Sequence, residues 1–131
     1  MVVIDTHVWL WWLHDPSRLS PLARTNLFSE EKQGIIVISA ISVWEIAVKL
    51  QLGKLTLPMD IHTWYEKAAS YPGIRIEPVT PRDSIESTLL PGDFHKDPAD
   101  RLIITLARRH GVSLITRDQA IIDYPHVETI W

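Results

Sequence analysis

Short apolar runs of strand length recur along the chain, and segments with the apolar spacing of a helix separate them. These runs cover residues 1–5, 35–38, 74–79, 112–116 and 127–131, the last of which we expect to form an edge strand. Strands that alternate with helices indicate βαβ units, whose right-handed crossovers build a mostly parallel sheet. The sequence therefore predicts an α/β fold, a three-layer α/β/α sandwich with a mostly parallel central sheet.

Signals for the beginnings and ends of helices lie between the runs. We expect helices over residues 6–13, 21–33, 61–71, 81–89 and 98–110, one from Ser39 or Ser42 to Leu52, and a helical turn over 120–123. Pro98 suits a first helical turn, because its φ is already fixed and the donor it lacks would be unpaired there. Gly111 suits the left-handed position just after a helix.

Length and composition limit the classes of protein. We expect one domain over residues 1–131, which is long enough to bury a core. Cysteine is absent, which excludes disulfides, thiolate metal sites and a cysteine nucleophile. Without an apolar run of membrane-spanning length or a signal peptide, we expect a cytoplasmic protein with no membrane contact. The net charge of −3 argues against a protein that coats nucleic acid, so any such contact would need a local basic surface.

Acidic residues occur near the predicted carboxyl ends of strands, where parallel α/β folds form their ligand-binding sites. Asp5 and Asp118 follow strands, whereas Glu45 and Asp100 lie near the amino ends of helices that leave strands. All four should therefore lie toward one edge of the sheet. Clustered carboxylates resist ionising together unless a cation is present, and oxygen ligands suit Mg²⁺ or Mn²⁺. Such ions activate water and neutralise charge on a phosphoryl group.

Each acid alone also has an ordinary structural interpretation. Asp5 could cap the following helix, and Glu45 could pair with Lys49 one turn along its own helix. Asp97 could cap the helix in which Asp100 interacts with the N-terminal dipole. Basic residues near the acids could contact a phosphate backbone or be solvated surface charges: Lys49, Lys96, Arg101, Arg108, Arg109 and Arg117. Of these, the candidates for RNA contact are Lys49, Lys96, Arg101 and Arg117.

Four sequence motifs together carry a family resemblance. They read VIDTHVWLWWL, SAISVWEIAVKLQLGKL, HKDPADRLIITLARRHG and LITRDQAIIDYP, and they span almost the whole chain. In this order they resemble the PIN-domain ribonucleases, in particular VapC-type toxins of bacterial or archaeal toxin–antitoxin pairs. The resemblance implies a Mg²⁺- or Mn²⁺-dependent endoribonuclease that acts on RNA, forms a homodimer and is neutralised by a protein antitoxin.

The resemblance also implies a set of site residues. The metal ligands and catalytic acids would be Asp5, Glu45, Asp100 and Asp118. Asp97 would be a helix cap or an auxiliary ligand, and the hydroxyl of Thr116 would support the last acid. Thr105 departs from the family pattern, in which a small apolar residue usually occupies this position of the helix.

Other kinds of site match the sequence less well. The histidines show no HExxH motif or paired metal spacing, and the chain has no GxSxG elbow and no P-loop. A haloacid-dehalogenase-like phosphatase would need an acid where His7 stands, and a receiver domain would need paired acids after the first strand. The alternative from a different class is a non-catalytic PIN-like module that only binds RNA or a protein. The apolar run over residues 8–13 could contribute to a protein interface.

Overall fold

The predicted helices and strands are present in a computed structural model that describes residues 1–95 and 97–131. The strands are β1 (Val2–Ile4), β2 (Ile36–Ser39), β3 (Ile74–Glu77), β4 (Leu114–Ile115) and β5 (Thr129–Ile130). The helices are α1 (Thr6–His14), α2 (Pro21–Gln33), α3 (Ala40–Gln51), α4 (Ile61–Ala69), α5 (Pro81–Thr88), α6 (Pro98–His110) and α7 (Gln119–Ile122). A 3₁₀ turn over Pro16–Arg18, which the sequence did not predict, connects α1 to α2.

The sheet has the strand order β3-β2-β1-β4-β5, and each neighbouring pair is parallel. The chain first moves outward from β1 through β2 to β3, and then returns to add β4 and β5 on the other side of β1. The direction of winding therefore reverses between β1 and β4. In open α/β sheets, ligands bind at the carboxyl ends of the strands beside such a reversal.

Side chains of the central strands alternate between two apolar clusters on opposite faces of the sheet. Ile4 and Ile38 join the cluster that includes buried residues of α1, α2 and α4. Val3, Val37 and Leu114 join the other cluster, which includes α6 and α7. Both faces of the sheet are thus covered, which explains why the central strands β1 and β4 are continuously apolar, whereas the edge strand β3 carries Arg75 and Glu77. The α/β/α sandwich is confirmed.

Local sequence signals fix the helix ends. Ser20 accepts a hydrogen bond from the Ala23 amide at 3.0 Å, and Ser39 rather than Ser42 caps α3. Gly111 has a φ of 63°, the left-handed conformation that a side chain disfavours. The buried hydroxyl of Thr105 donates to the carbonyl of Arg101 at 2.7 Å, one turn earlier in α6, so this buried polar group has a hydrogen-bond partner.

The aromatic run in α1 packs mainly against this chain itself. Trp9 is buried against Trp64, with the ring centroids 5.0 Å apart, and Trp11 lies 6.0 Å from Trp131. Large apolar side chains that expose more than half of their surface lie elsewhere, and they include Phe28, Trp44, Leu52, Ile85 and Leu89. Within the described part of the chain, no helix is both long and apolar enough to cross a membrane.

Candidate active site

Asp5 lies directly after β1 and is only 4% exposed. Its Oδ1 accepts a hydrogen bond from the Thr6 amide at 2.8 Å, so it caps α1 as the structural interpretation expects. Its Oδ2 accepts a second hydrogen bond from the Thr116 hydroxyl at 2.7 Å. A buried carboxylate requires such partners, and one of them, directly after β4, is 111 residues away in the sequence.

Thr116 joins the carboxyl ends of β1 and β4. It is fully buried, donates its hydroxyl proton to Asp5, and accepts a hydrogen bond from the Asp118 amide at 3.0 Å. Asp118 in turn caps α7, because its Oδ1 accepts from the Ala120 amide at 2.9 Å. One hydroxyl therefore fixes the positions of two acids on either side of the winding reversal.

Glu45 reaches the same edge of the sheet from α3. Its Oε1 accepts the Thr6 hydroxyl at 2.6 Å, and that hydroxyl also lies 2.8 Å from the Ser42 oxygen. Burial raises the pKa of Glu45 and the nearby Asp5 adds to the rise, while the hydrogen bond from Thr6 and the charge of Lys49 oppose it. Lys49 thus influences Glu45 through its charge, whereas the bond that orients Glu45 comes from α1.

Asp100 completes the cluster from the first turn of α6, with 15% of its side chain exposed. Burial raises the pKa of Asp100 from 3.8 to about 8, and the negative charges of Asp5, Asp97, Asp118 and Glu45 contribute to this rise. The charges of the other acids therefore act on this carboxyl in addition to its burial. The oxygen donors of such a site suit a hard divalent cation, which would offset the repulsion between the carboxylates.

Asp97 occupies the position that the helix signals predict. It is exposed and caps α6, since its Oδ1 accepts from the Asp100 amide at 3.1 Å. Its negative charge also contributes to the raised pKa of Asp100. The structure thus gives Asp97 a capping bond, and its use as an auxiliary ligand stays a prediction.

Two histidines that no sequence motif singled out lie beside the acids. The Nε2 atom of His7 accepts a hydrogen bond from the Arg117 amide at 3.1 Å, and its Nδ1 lies 3.7 Å from Asp5 Oδ2. Burial lowers the pKa of His7, although the charges of Asp5 and Asp118 oppose this, and a neutral ring can accept that bond. The Nε2 of His95 lies 3.2 Å from Asp100 Oδ2. For His7, its position two residues after Asp5 is the only sequence signal.

The candidates for RNA contact differ in their surroundings. Lys49 and Arg117 are exposed, and the Arg117 guanidinium lies 5.9 Å from the centre of the Trp11 ring. Arg101 instead donates to three backbone carbonyls, those of His95, Ser87 and Phe94, at 2.9–3.0 Å. Its guanidinium is thus used to hold the chain before α6. The remaining candidate, Lys96, lies outside the described residues.

Donor atoms for a metal ion converge at one point of this cluster. One side-chain atom each from His95, Asp100 and Asp118 lie within 4.8 Å of one another. Asp5 and Asp118 are joined through Thr116, and Glu45 is joined to the end of β1 through Thr6. An arrangement of this kind can hold a divalent cation and present it to a phosphate group.

Comparison with known proteins gives consistent matches over nearly the whole chain. The model of the PIN domain family matches residues 2–127. Ribonuclease VapC22 of Mycobacterium tuberculosis (strain ATCC 25618 / H37Rv) is 32% identical over 132 residues, which cover 99% of this chain and 98% of that protein.

Solved structures with the same fold are more distant in sequence. A chain in the crystal structure of VapBC2 from Rickettsia felis, bound to a DNA fragment from their promoter, superposes with a TM-score of 0.70 at 16% identity, covering 98% of this chain and 97% of that one. Mycobacterium tuberculosis VapC20, described as a Sarcin-Ricin loop cleaving toxin, superposes with a TM-score of 0.65 at 12% identity, covering 98% and 99%. At these identities the structural matches establish the fold.

Proposed function

This chain belongs to the PIN domain family and is related along its whole length to a VapC ribonuclease, and we propose from this that it is the endoribonuclease toxin of a toxin–antitoxin pair. We further propose that Asp5, Glu45, Asp100 and Asp118 bind Mg²⁺ or Mn²⁺ and catalyse hydrolysis of RNA phosphodiester bonds.

The observation that supports the proposal is that Asp100 and Asp118 offer ligand atoms within 4.8 Å of each other and of His95, beside the winding reversal of the sheet. Hydrogen bonds through Thr116 and Thr6 connect Asp5 and Glu45 to this place. Helix caps alone would explain one bond each for Asp5 and Asp118. They do not explain why Glu45 and Asp100 are brought from two further helices toward the same edge of the sheet. There burial raises the pKa of Asp100 to about 8, and the negative charges of the other acids add to the rise. A bound divalent cation would offset that repulsion.

The roles of the side chains follow from their contacts. When bound, a divalent ion supplies positive charge that favours ionisation of the attacking water and neutralises charge developing on the phosphoryl group. The Thr116 hydroxyl holds Asp5 and the backbone of Asp118 in one arrangement, and the Thr6 hydroxyl turns Glu45 toward them. Supporting partners of this kind fix the geometry of ligands.

The expected chemical outcome is specific. Water attacks the phosphorus in line with the leaving oxygen, and the leaving 3′ oxygen takes up a proton. The products carry a 5′-phosphate and a 3′-hydroxyl, because the 2′-hydroxyl does not act as the nucleophile. Exposed Lys49 and Arg117, at the rim of the acid cluster, would contact the phosphates that flank the cleaved bond.

We also propose two protein partners, a second copy of this chain and a protein antitoxin that covers the acid cluster. Several apolar side chains are available for such interfaces, among them Trp44, which is 59% exposed and lies next to Glu45 in the sequence. Light scattering on the purified chain should give the mass of a dimer. A monomer at micromolar concentration would contradict the homodimer and leave the nuclease proposal intact.

The nuclease proposal is tested with purified parent, Asp118→Asn and Asp123→Asn. The last is a matched control, because Asp123 is an exposed acid near the end of α7 that accepts a bond from Gln119. We expect the parent and Asp123→Asn to cleave RNA and leave 5′-phosphate ends, and Asp118→Asn to lose cleavage by orders of magnitude. RNA binding without cleavage by the parent, in the presence of Mg²⁺ and Mn²⁺, would favour the non-catalytic binding module instead.

A further inference from the structure

We propose that His95 is a nitrogen ligand of the ion held by Asp100 and Asp118, and that it makes this site prefer Mn²⁺ to Mg²⁺. The inference rests on the proposed function in one respect, since it requires that the acid cluster binds a divalent ion. It adds a residue to the ligands, and it makes the preference for Mn²⁺ over Mg²⁺ larger than that of an all-carboxylate site.

The position of the imidazole supports this assignment. His95 Nε2 lies 3.2 Å from Asp100 Oδ2, and one donor atom each from His95, Asp100 and Asp118 lie within 4.8 Å of one another. Two ligands that bind one ion at about 2.1–2.3 Å are at most about 4.5 Å apart, so only small side-chain movements are needed. Since 40% of the His95 side chain is exposed, the ring has room for such a movement.

The backbone before α6 is held in place by the helix that carries Asp100. Arg101 Nε donates to the carbonyl of His95 at 3.0 Å, and Arg101 Nη2 donates to that of Phe94 at 2.9 Å. The Phe94 and His95 rings pack with their centroids 4.1 Å apart. Arg101 is therefore the positioning residue that holds the backbone of His95 near Asp100, while the imidazole ring can still adjust.

The ion preference follows from the chemistry of the donors. Mg²⁺ prefers oxygen ligands in octahedral geometry and seldom takes nitrogen. Mn²⁺ also suits carboxylate oxygens, but as a first-row transition ion it accepts an imidazole nitrogen more readily than Mg²⁺ does. An ordinary alternative is that His95 only forms a hydrogen bond or ion pair with Asp100. In that case its loss would change the affinities for Mn²⁺ and Mg²⁺ by the same factor, because no nitrogen would be bound to either ion.

The experiment compares parent, His95→Asn, His95→Gln and His62→Asn, all as full-length chains freed of metal by chelation. His62 is an exposed residue of α4 and serves as the matched control, since it undergoes the same substitution. Calorimetry gives the affinities for Mn²⁺ and Mg²⁺, and pulsed electron paramagnetic resonance of bound Mn²⁺ detects a coordinated ¹⁴N nucleus directly. Thermal melting verifies that the variants fold.

We expect the ¹⁴N signal in the parent and in His62→Asn, and its loss in both His95 variants. Affinity for Mn²⁺ should fall about tenfold or more in those variants, with a change of less than about threefold for Mg²⁺. A ¹⁴N signal that persists without His95, or equal losses for both ions, would overturn the inference while leaving the metal-dependent nuclease in place. A parent that binds neither ion would overturn both.

Discussion

Replacing Asp100 with Asn should stabilise the metal-free protein. Burial and the charges of Asp5, Asp97, Asp118 and Glu45 raise the pKa of Asp100 from 3.8 to about 8. At about 1.4 kcal/mol for each tenfold change in a dissociation constant, keeping this carboxylate ionised would cost at most about 6 kcal/mol. Below pH 8 the group takes up a proton instead, and solvent screens part of the repulsion. We therefore expect the free energy of unfolding of metal-free Asp100→Asn to exceed that of the parent by about 1–3 kcal/mol at pH 8.

The direction of the pH dependence follows from proton binding. Because the folded state raises the pKa of Asp100, it holds a proton between about pH 4 and pH 8 that the unfolded chain has released. The contribution of Asp100 to the stability of the metal-free parent is fully present below about pH 4, decreases as the pH rises, and levels off above about pH 8. Asn does not titrate, so the advantage of Asp100→Asn should grow over the same interval.

Denaturant unfolding followed by tryptophan fluorescence measures the free energy of unfolding of the parent and of Asp100→Asn. The measurements are made between about pH 5 and pH 9, in EDTA and in excess Mg²⁺. Mg²⁺ should stabilise the parent by binding the folded state and should do much less for the variant. The control is Asp60→Asn, because Asp60 is an exposed cap of α4 and Asn caps a helix about equally well. The free energy of unfolding of this control should match that of the parent in both conditions.

An Asp100→Asn variant that is less stable than the parent in EDTA at every pH would show that Asp100 contributes a structural bond rather than a repelled charge. Equal stabilisation of parent and variant by Mg²⁺ would show that Asp100 does not bind the ion. Either result would refute the argument from clustered acids, and it would do so without reference to cleavage activity.

Further expectations concern the support of the acids, the basic residues and the ion. Thr116→Val removes the hydroxyl between Asp5 and Asp118; cleavage and Mg²⁺ affinity should each fall about 10–100-fold, and an unchanged rate would show that this hydroxyl does not position the acids. Arg101→Lys should lower the free energy of unfolding by about 1–3 kcal/mol, because the shorter group cannot reach all three carbonyls. Arg117→Gln should leave stability within about 0.5 kcal/mol but weaken RNA binding and its salt dependence in a filter assay; unchanged binding would remove Arg117 from the RNA contacts. EDTA should abolish cleavage, Mg²⁺ or Mn²⁺ should restore it, and Ca²⁺ should support it poorly; full activity in excess EDTA would contradict a metal mechanism.

The sequence by itself determined the elements and the edge at which the acids lie. Helix starts at Ser20-Pro21 and Asp97-Pro98 depend on groups within three residues, so a local pattern suffices to find them. The apolar runs mark strands buried on both faces, and a parallel sheet brings their carboxyl ends to one edge. Asp5 and Asp118 could therefore be placed together before the structure was known, although strand order could not.

Only the tertiary structure decided which groups touch. The order β3-β2-β1-β4-β5 puts β4 beside β1, and only then does the Thr116 hydroxyl reach Asp5. The Thr6 hydroxyl, in α1, likewise reaches Glu45, in α3, although the two residues are 39 positions apart in the sequence. Such bonds depend on strand register and helix packing between distant segments, which no local pattern records. Arg101 shows the same effect. Its position in the sequence fits a surface residue that binds phosphate, yet in the structure it donates to three carbonyls of α5 and of the segment before α6.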